Sequence, residues 1–214
     1  MMQVEPMALS PLSGKRIAIL GSSVAYGWAS GGEAVGEYLA ARLGAVLTKE
    51  AVSGTTLADI DDQSYVSRMR ALPPDGGFDL FLCQLSTNDA TRGLPLGGIE
   101  PGFDARGFDA RTITGAIQTI AANARAAWGC PVFFFTGSRF DSDAYAAMVA
   151  RLYELADKWR FGVLDLWSDD AFNAISEEDR ARFMADPIHP KLEGYARWWG
   201  PELERQLLEQ LPRQ

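Results

Sequence analysis

The chain is poor in the residues that build metal centres and disulfide frameworks. Its 214 residues include one histidine and two cysteines, Cys83 and Cys130. Two cysteines are too few for a disulfide framework, so we expect two reduced core thiols. With one histidine they leave no zinc cluster, and the acidic segment Asp59-Ile60-Asp61-Asp62 is more typical of a solvated helix face or cap than of a calcium loop. We therefore expect no metal and no cofactor.

Positive charge and long apolar runs are also scarce. The chain has 20 Lys and Arg residues against 28 Asp and Glu residues, and its formal net charge is -8. This balance argues against a surface that follows nucleic-acid phosphates and against an anionic membrane. No segment approaches the apolar length of a membrane span, and residues 1–14 lack the apolar core of a signal peptide. We expect a cytoplasmic protein, with a homo-oligomer left open.

Strand-like and helix-like segments alternate along the chain, which predicts βαβ units and a parallel sheet. Apolar runs predict strands over 16–20, 45–51, 79–85, 131–136 and 162–166. Helical periodicity predicts helices over 33–43, 110–128, 143–159, 177–184 and 192–211, the last with a candidate break at Gly200-Pro201. The fold class is therefore α/β, a three-layer α/β/α sandwich with a flavodoxin-like five-stranded parallel sheet. One domain spans 1–214, with 1–14 as a flexible lead-in.

The only histidine, His189, follows Asp186 by three residues. Imidazole is the usual proton carrier for a serine nucleophile, and a nearby carboxylate fixes its tautomer. A nucleophile is available at the other end of the chain, where the first predicted strand leads into Gly21-Ser22-Ser23. Open α/β sheets place their ligands at such strand ends. Each signal also has a structural reading, since Gly-Ser-Ser is often a turn and Asp186 suits an Asx-turn.

Two more polar loops follow predicted strands. Ser53-Gly54-Thr55-Thr56 comes after the second strand and Ser86-Thr87-Asn88-Asp89 after the third. Gly54 permits a positive φ and a close backbone approach, although a plain turn would need the same residue. The neutral amide of Asn88 suits a donor to a developing oxyanion, and its alternative role is a turn residue or helix cap.

In order, strand context and spacing, these four blocks resemble those of the SGNH hydrolases, also called GDSL esterases and lipases, over 17–195. The resemblance implies that Ser23 is the nucleophile, His189 the general base and Asp186 its orienting partner. It also implies an oxyanion hole formed by the Ser23 N–H, the Gly54 N–H and the Asn88 amide. Two positions depart from the family pattern: Ser22 stands where an Asp is usual, and Ser86 where a Gly is usual. Ser22 is also a rival nucleophile.

The resemblance implies a serine ester hydrolase that acts through an acyl-enzyme on short-chain, preferably acetyl, esters, with carbohydrate esters as one substrate class. Tyr26, Trp28 and Arg139 are candidate substrate contacts. The alternatives are a thioesterase or lysophospholipase on the same machinery, and a non-catalytic binding module. No Gly-x-Ser-x-Gly motif and no P-loop occurs.

Overall fold

A five-stranded sheet forms the centre of the molecule, whose structure is a computed structural model describing residues 2–211. Its strands are β1 (Arg16–Gly21), β2 (Val46–Ala51), β3 (Leu80–Gln84), β4 (Val132–Phe135) and β5 (Gly162–Leu164). All neighbouring strands are parallel, in the order β2-β1-β3-β4-β5. This flavodoxin-like order confirms the predicted sheet and places its topological switch point between β1 and β3.

Helices connect the strands and continue after the last one. They are α1 (Ser23–Tyr26), α2 (Val35–Leu43), α3 (Tyr65–Met69), α4 (Thr87–Thr91), α5 (Ile113–Ala127), α6 (Asp143–Trp159), α7 (Asp170–Asn173), α8 (Glu177–Phe183), α9 (Leu192–Gly194) and α10 (Gly200–Gln210). Within residues 2–211, no helix combines the length and the apolar composition that crossing a bilayer requires.

Each face of the sheet carries its own apolar core, which confirms the three-layer architecture. Along β1, Ala18 and Leu20 belong to the core formed with α3, α5 and α6, whereas Ile17 and Ile19 belong to the core formed with α2 and α10. Alternate strand residues point to opposite faces, so a strand covered on both sides is apolar throughout. The edge strand β2 is only partly covered and carries Lys49 and Glu50.

The long helices and all five strands lie where the periodicity predicts them, with shifted ends. Strand β5 ends at Leu164, before its predicted end, because side chains take over the next backbone donors: Asp165 N–H donates to Gln206 Oε1 and Leu166 N–H to Thr136 Oγ1. Helix α5 begins at Ile113 because Thr112 caps it, accepting a hydrogen bond from Gly115 N–H. The four short helices α1, α3, α4 and α7 are absent from the sequence prediction, since five residues or fewer show no periodicity.

The predicted final helix changes its winding at the expected break. Helix α9 is followed by a π-helical segment, Tyr195–Trp199, and then by α10. Pro201 has no N–H to donate to the preceding turn, so the backbone accommodates it by widening that turn. Gly200 fits there because a Cβ would lie 2.5 Å from both the Tyr195 carbonyl oxygen and the Tyr38 ring.

Two irregular segments are fixed by contacts with the helices. In the glycine-rich loop after α4, Lys158 Nζ donates to the Glu100 carbonyl, and Arg151 donates to the Gly97 carbonyl. At the start of the chain, Met2 and Leu12 are buried in the core that contains α2 and α10. The flexible lead-in over residues 1–14 stays a prediction.

Candidate active site

The structure brings Ser23, His189 and Asp186 into one hydrogen-bonded row. His189 Nε2 lies 2.7 Å from Ser23 Oγ, and its Nδ1 lies 2.8 Å from Asp186 Oδ2. Ser23 is the first residue of α1, immediately beyond the carboxyl end of β1, and His189 lies in the loop between α8 and α9. The carboxylate favours the tautomer with a proton on Nδ1, which leaves Nε2 free to accept the Ser23 proton.

The Asp186 side chain has two local tasks. Besides the imidazole, its Oδ1 accepts hydrogen bonds from the backbone N–H groups of Ile188 and His189, both at 2.8 Å. Asp186 is therefore an Asx-turn residue as well as the imidazole partner, so the two sequence readings are compatible. Partial burial raises the pKa of this carboxyl, but the hydrogen bonds from Ile188 and His189 outweigh it and hold the pKa below its usual value. The group is an anion at neutral pH.

The two adjacent serines point to different places. Ser23 faces His189 and is 7% exposed, whereas Ser22 is 0% exposed. The Ser22 hydroxyl accepts a hydrogen bond from Gln84 Nε2 at 3.1 Å. The geometry thus places Ser23, and not Ser22, against the imidazole.

Neither cysteine of the chain is a candidate nucleophile. Burial raises the pKa of Cys130 to about 11 and that of Cys83 well above its usual range, so both thiols are protonated at neutral pH. Both are free thiols in the structure, as the sequence predicts.

Two backbone N–H groups, in the segments that follow β1 and β2, have no acceptor in the part of the chain that the structure describes. Within residues 2–211, neither the Ser23 N–H nor the Gly54 N–H donates to a protein acceptor. Gly54 has a φ of +82°, which favours glycine, although a Cβ there would meet nothing within 4 Å. Arg92 Nη2 donates to the Gly54 carbonyl at 2.7 Å and so helps to fix the peptide. Gly54 is thus needed for its backbone conformation rather than for space.

Asn88 is the second residue of α4. Its Nδ2 donates one hydrogen bond to the Thr55 carbonyl at 2.9 Å, which leaves one further amide hydrogen. The helix-cap reading of Asn88 is wrong, because Ser86 is the N-cap and accepts from the Asn88 N–H. Ser86 therefore holds the backbone of Asn88, and the Asn88 side chain holds the Gly54 loop.

Two buried charged residues that support these loops were missed from the sequence. Asp89 accepts from the N–H groups of Leu57 and Ala58, at 2.7 and 3.0 Å. Burial raises the pKa of Asp89, although these hydrogen bonds oppose the shift. Arg68 donates through Nη2 to the Gly21 carbonyl and to Thr55 Oγ1, and so connects the loops after β1 and β2. The sequence offered a signal only for Asp89, which directly follows Asn88.

The three predicted substrate contacts have different surroundings. Trp28 and Tyr26 are 58% and 44% exposed, and the Trp28 ring lies 5.0 Å from the His189 ring. Lys49 fixes their loop by donating to the carbonyls of Tyr26 and Gly32. Arg139 is instead engaged by the Trp167 carbonyl and the Asp170 carboxylate.

The surface has one groove next to the predicted site residues and a larger one away from them. Arg139, Met184 and Asp186 line a groove of about 370 Å³ beside the row. A larger groove, of about 820 Å³, lies between the N-terminal segment, α2 and α10 and contains none of the predicted site residues.

Comparison with known proteins supports the resemblance. The sequence profile of the GDSL-like Lipase/Acylhydrolase family matches residues 19–197. A solved structure of a protein from Lactobacillus plantarum is similar with a TM-score of 0.77 and 22% identity, covering 94% of this chain and 99% of that chain.

A second solved structure is a carbohydrate esterase family 2 enzyme plus carbohydrate-binding domain from Corynascus thermopiles (Myceliophthora fergusii). It has a TM-score of 0.60 and 16% identity, and the alignment covers 96% of this chain and 68% of that chain. Identities this low show a shared fold. A comparison with curated proteins gave no match.

Proposed function

Because the chain belongs to the GDSL-like lipase/acylhydrolase family, we propose that it is a serine ester hydrolase acting through an acyl-enzyme. The observation that carries this proposal is the hydrogen-bonded row of Ser23, His189 and Asp186, together with the Ser23 and Gly54 N–H groups, which have no acceptor among residues 2–211. Neither the row nor the donors would be needed by a surface that only binds a ligand.

The reaction follows from the positions of these groups. Ser23 Oγ attacks the ester carbonyl and passes its proton to His189 Nε2, while the Asp186 anion stabilises the imidazolium. The Ser23 N–H, the Gly54 N–H and the remaining Asn88 amide hydrogen stabilise the oxyanion. His189 then protonates the leaving alcohol, and a water molecule activated by the same imidazole releases the acid. Donors set before the reaction stabilise the transition state more than the substrate.

The preferred substrate is a short acyl ester, above all an acetyl ester, carried on a sugar. The exposed Trp28 ring lies 5.0 Å from the ring of His189, the group that would protonate the leaving alcohol, and Tyr26 lies two residues before Trp28. Aromatic faces with a polar edge suit the partly apolar, hydroxylated surface of a sugar ring. The fold similarity to a carbohydrate esterase agrees with this choice. Arg139 is kept as a further contact at the neighbouring groove.

A substrate panel tests the proposal. p-Nitrophenyl acetate, butyrate and octanoate should be hydrolysed in that order of decreasing kcat/KM, and acetylated xylo- or manno-oligosaccharides should be deacetylated. Rates on an acyl thioester and a lysophospholipid, measured beside them, decide between the esterase and its two enzymatic alternatives. A preference for octanoate or for either of these compounds would contradict the short-chain assignment.

Covalent labelling tests the nucleophile. A serine-reactive fluorophosphonate should add one mass to the peptide that contains Ser23, and the Ser23→Ala variant should stay unlabelled. A label on Ser22 would contradict the assignment. A folded wild-type protein that is neither labelled nor active on any ester would favour the non-catalytic binding module.

A further inference from the structure

Gln84, the last residue of β3, lies directly behind the turn that carries Ser23. It is 2% exposed, and its Oε1 accepts hydrogen bonds from Ser22 N–H at 3.0 Å and Ala25 N–H at 2.9 Å. Its Nε2 donates to Ser22 Oγ at 3.1 Å. One buried side chain thus makes three hydrogen bonds to this turn.

These hydrogen bonds replace a local helix cap. Helix α1 starts at Ser23, and Ser22 in the N-cap position makes no capping hydrogen bond with its own side chain. The N–H groups of a first helical turn have no partner within the helix and need an outside acceptor. Gln84 accepts from Ser22 and Ala25 but not from Ser23, and the Ser23 N–H has no acceptor in residues 2–211.

The turn and Gln84 are packed so closely that position 21 has no room for a side chain. A Cβ at position 21 would lie 2.4 Å from Ala25 Cβ and 2.8 Å from Gln84 Oε1, so only glycine fits. The pairing of Leu20 with Cys83 in the sheet sets this register, because Gly21 and Gln84 are the next residues of their strands. The same strand end leads within four residues to Asn88.

We propose that Gln84 is a positioning residue for the esterase reaction. By holding the Ser22–Ala25 backbone, it aims Ser23 Oγ at His189 and keeps the Ser23 N–H directed at the same substrate carbonyl. This inference rests on the proposed function, since it assigns to Gln84 the geometry of a nucleophile and of one oxyanion donor.

Gln84→Met tests it, because methionine retains the length of the side chain and removes both the acceptor and the donor. Its kcat should fall on the order of 10²-fold, the loss that small misplacements of reacting groups produce. KM should change less than threefold, and the rate of fluorophosphonate labelling at Ser23 should fall together with kcat.

Gln118→Met is the matched control. Gln118 is also a fully buried glutamine, and its Oε1 accepts from Lys158 in α6, away from the site. Both substitutions should lower the thermal midpoint, but Gln118→Met should retain the kcat and the labelling rate of the wild type. A Gln84→Met protein that is destabilised like the control and labels at the wild-type rate would show that Gln84 is only structural.

Gln84→Glu provides the rescue. Whether ionised or protonated, its carboxyl keeps an oxygen that accepts from the two N–H groups, so kcat should return to within about tenfold of the wild type. If Gln84→Met does not fold, Gln84→Asn takes its place, because its shorter side chain cannot reach both N–H groups. Equal kcat values for the Glu variant and for the Met or Asn variant would overturn the proposal. An unlabelled, inactive wild-type protein would instead overturn the proposed function itself.

Discussion

Ser23 and His189 are held in place by different kinds of contact. The His189 loop is fixed from within, because Asp186 binds the backbone of Ile188 and His189 as well as the imidazole, all within three residues. The Ser23 turn is fixed from outside, by Gln84, 62 residues from Ser22, and by Arg68, 47 residues from Gly21.

This difference separates two ways of building a precise site. A local turn needs one side chain at the right spacing and forms wherever its segment lies. A turn held by distant partners depends on strand register, so its geometry exists only after the sheet is assembled. We therefore expect substitutions in the His189 loop to act mainly on the chemistry, and those around the Ser23 turn to affect positioning as well.

The largest effect should come from Ser23→Ala. Removing the nucleophile should lower kcat by roughly 10⁴- to 10⁶-fold, because the loss of one member of such a triad approaches the loss of the whole unit. The Ser23 side chain supports no backbone group, so the thermal midpoint should stay within about 2 °C of the wild type. Steady-state kinetics and calorimetry on one preparation check both values. A residual kcat above about 1% would point to a second nucleophile.

Asp186→Asn tests the His189 loop, which is held by local contacts. The Asn oxygen can still accept from the Ile188 and His189 N–H groups, so the loop should keep its shape. The variant loses the charge that fixes the imidazole tautomer and stabilises the imidazolium, and kcat should fall by about 10³- to 10⁴-fold. Kinetics with p-nitrophenyl acetate measure the loss, and an unchanged near-ultraviolet spectrum verifies the fold. A loss below tenfold would remove Asp186 from the proposed mechanism.

Asn88→Ala tests another contact between segments distant in the sequence, because Asn88 Nδ2 donates to the Thr55 carbonyl. If the amide stabilises the oxyanion, kcat should fall by roughly 10²- to 10³-fold with little change in KM. Since Ser86 and not Asn88 caps α4, the stability loss should be smaller than the roughly 1 kcal/mol expected for Ser86→Ala. Chemical denaturation of the two variants gives the comparison. A stability loss without a fall in kcat would leave Asn88 with only a structural task.

The smallest effect concerns the pH dependence of stability. The pKa of Asp186 is lower in the folded protein than its usual value, so ionisation of this group favours the folded state. That contribution is complete above the unfolded value of about 3.9 and is lost as the pH falls through the folded pKa. Because Asp186 is partly exposed, we expect no more than about 1 kcal/mol.

Denaturation at about pH 7 and pH 2.5 measures the contribution of Asp186 ionisation to the free energy of unfolding. The stability difference between the wild type and Asp186→Asn should shrink at the acid end. Ser23→Ala, which retains Asp186, should follow the wild type at both values. A difference that grows towards acid would mean that folding raises the pKa of Asp186 instead of lowering it.

The sequence predicted the locally encoded features well. Buried parallel strands such as β1 are recognisable because they are apolar without interruption, and α6 because its apolar residues recur at helical spacing. The three-residue spacing of Asp186 and His189 indicated that the two side chains could meet within one turn. The short helices α1 and α4, which present Ser23 and Asn88, were missed because four or five residues show no helical periodicity. Helix α1 also has no capping side chain of its own, whereas α4 is capped by the adjacent Ser86.

Supporting residues were beyond the sequence argument for a related reason. Gln84, Arg68 and Asp89 are polar residues in or beside apolar segments, and nothing in their own segments says which backbone groups they will meet. Arg139 shows the reverse case. Its role as a substrate contact stays a prediction, and the sequence did not show that its guanidinium is also engaged by the Trp167 carbonyl and the Asp170 carboxylate.

The sequence by itself determined the order of the five strands and the long helices along the chain, and it allowed for an Asx-turn at Asp186 and a positive φ at Gly54. Periodicity, turn chemistry and positive φ are properties of short segments, so they act before any long-range contact forms. Only the tertiary structure decided that Ser23, rather than Ser22, meets an imidazole 166 residues away at 2.7 Å. That choice follows from the register between β1 and β3, which turns one hydroxyl inward to Gln84 and leaves the other at the carboxyl edge of the sheet.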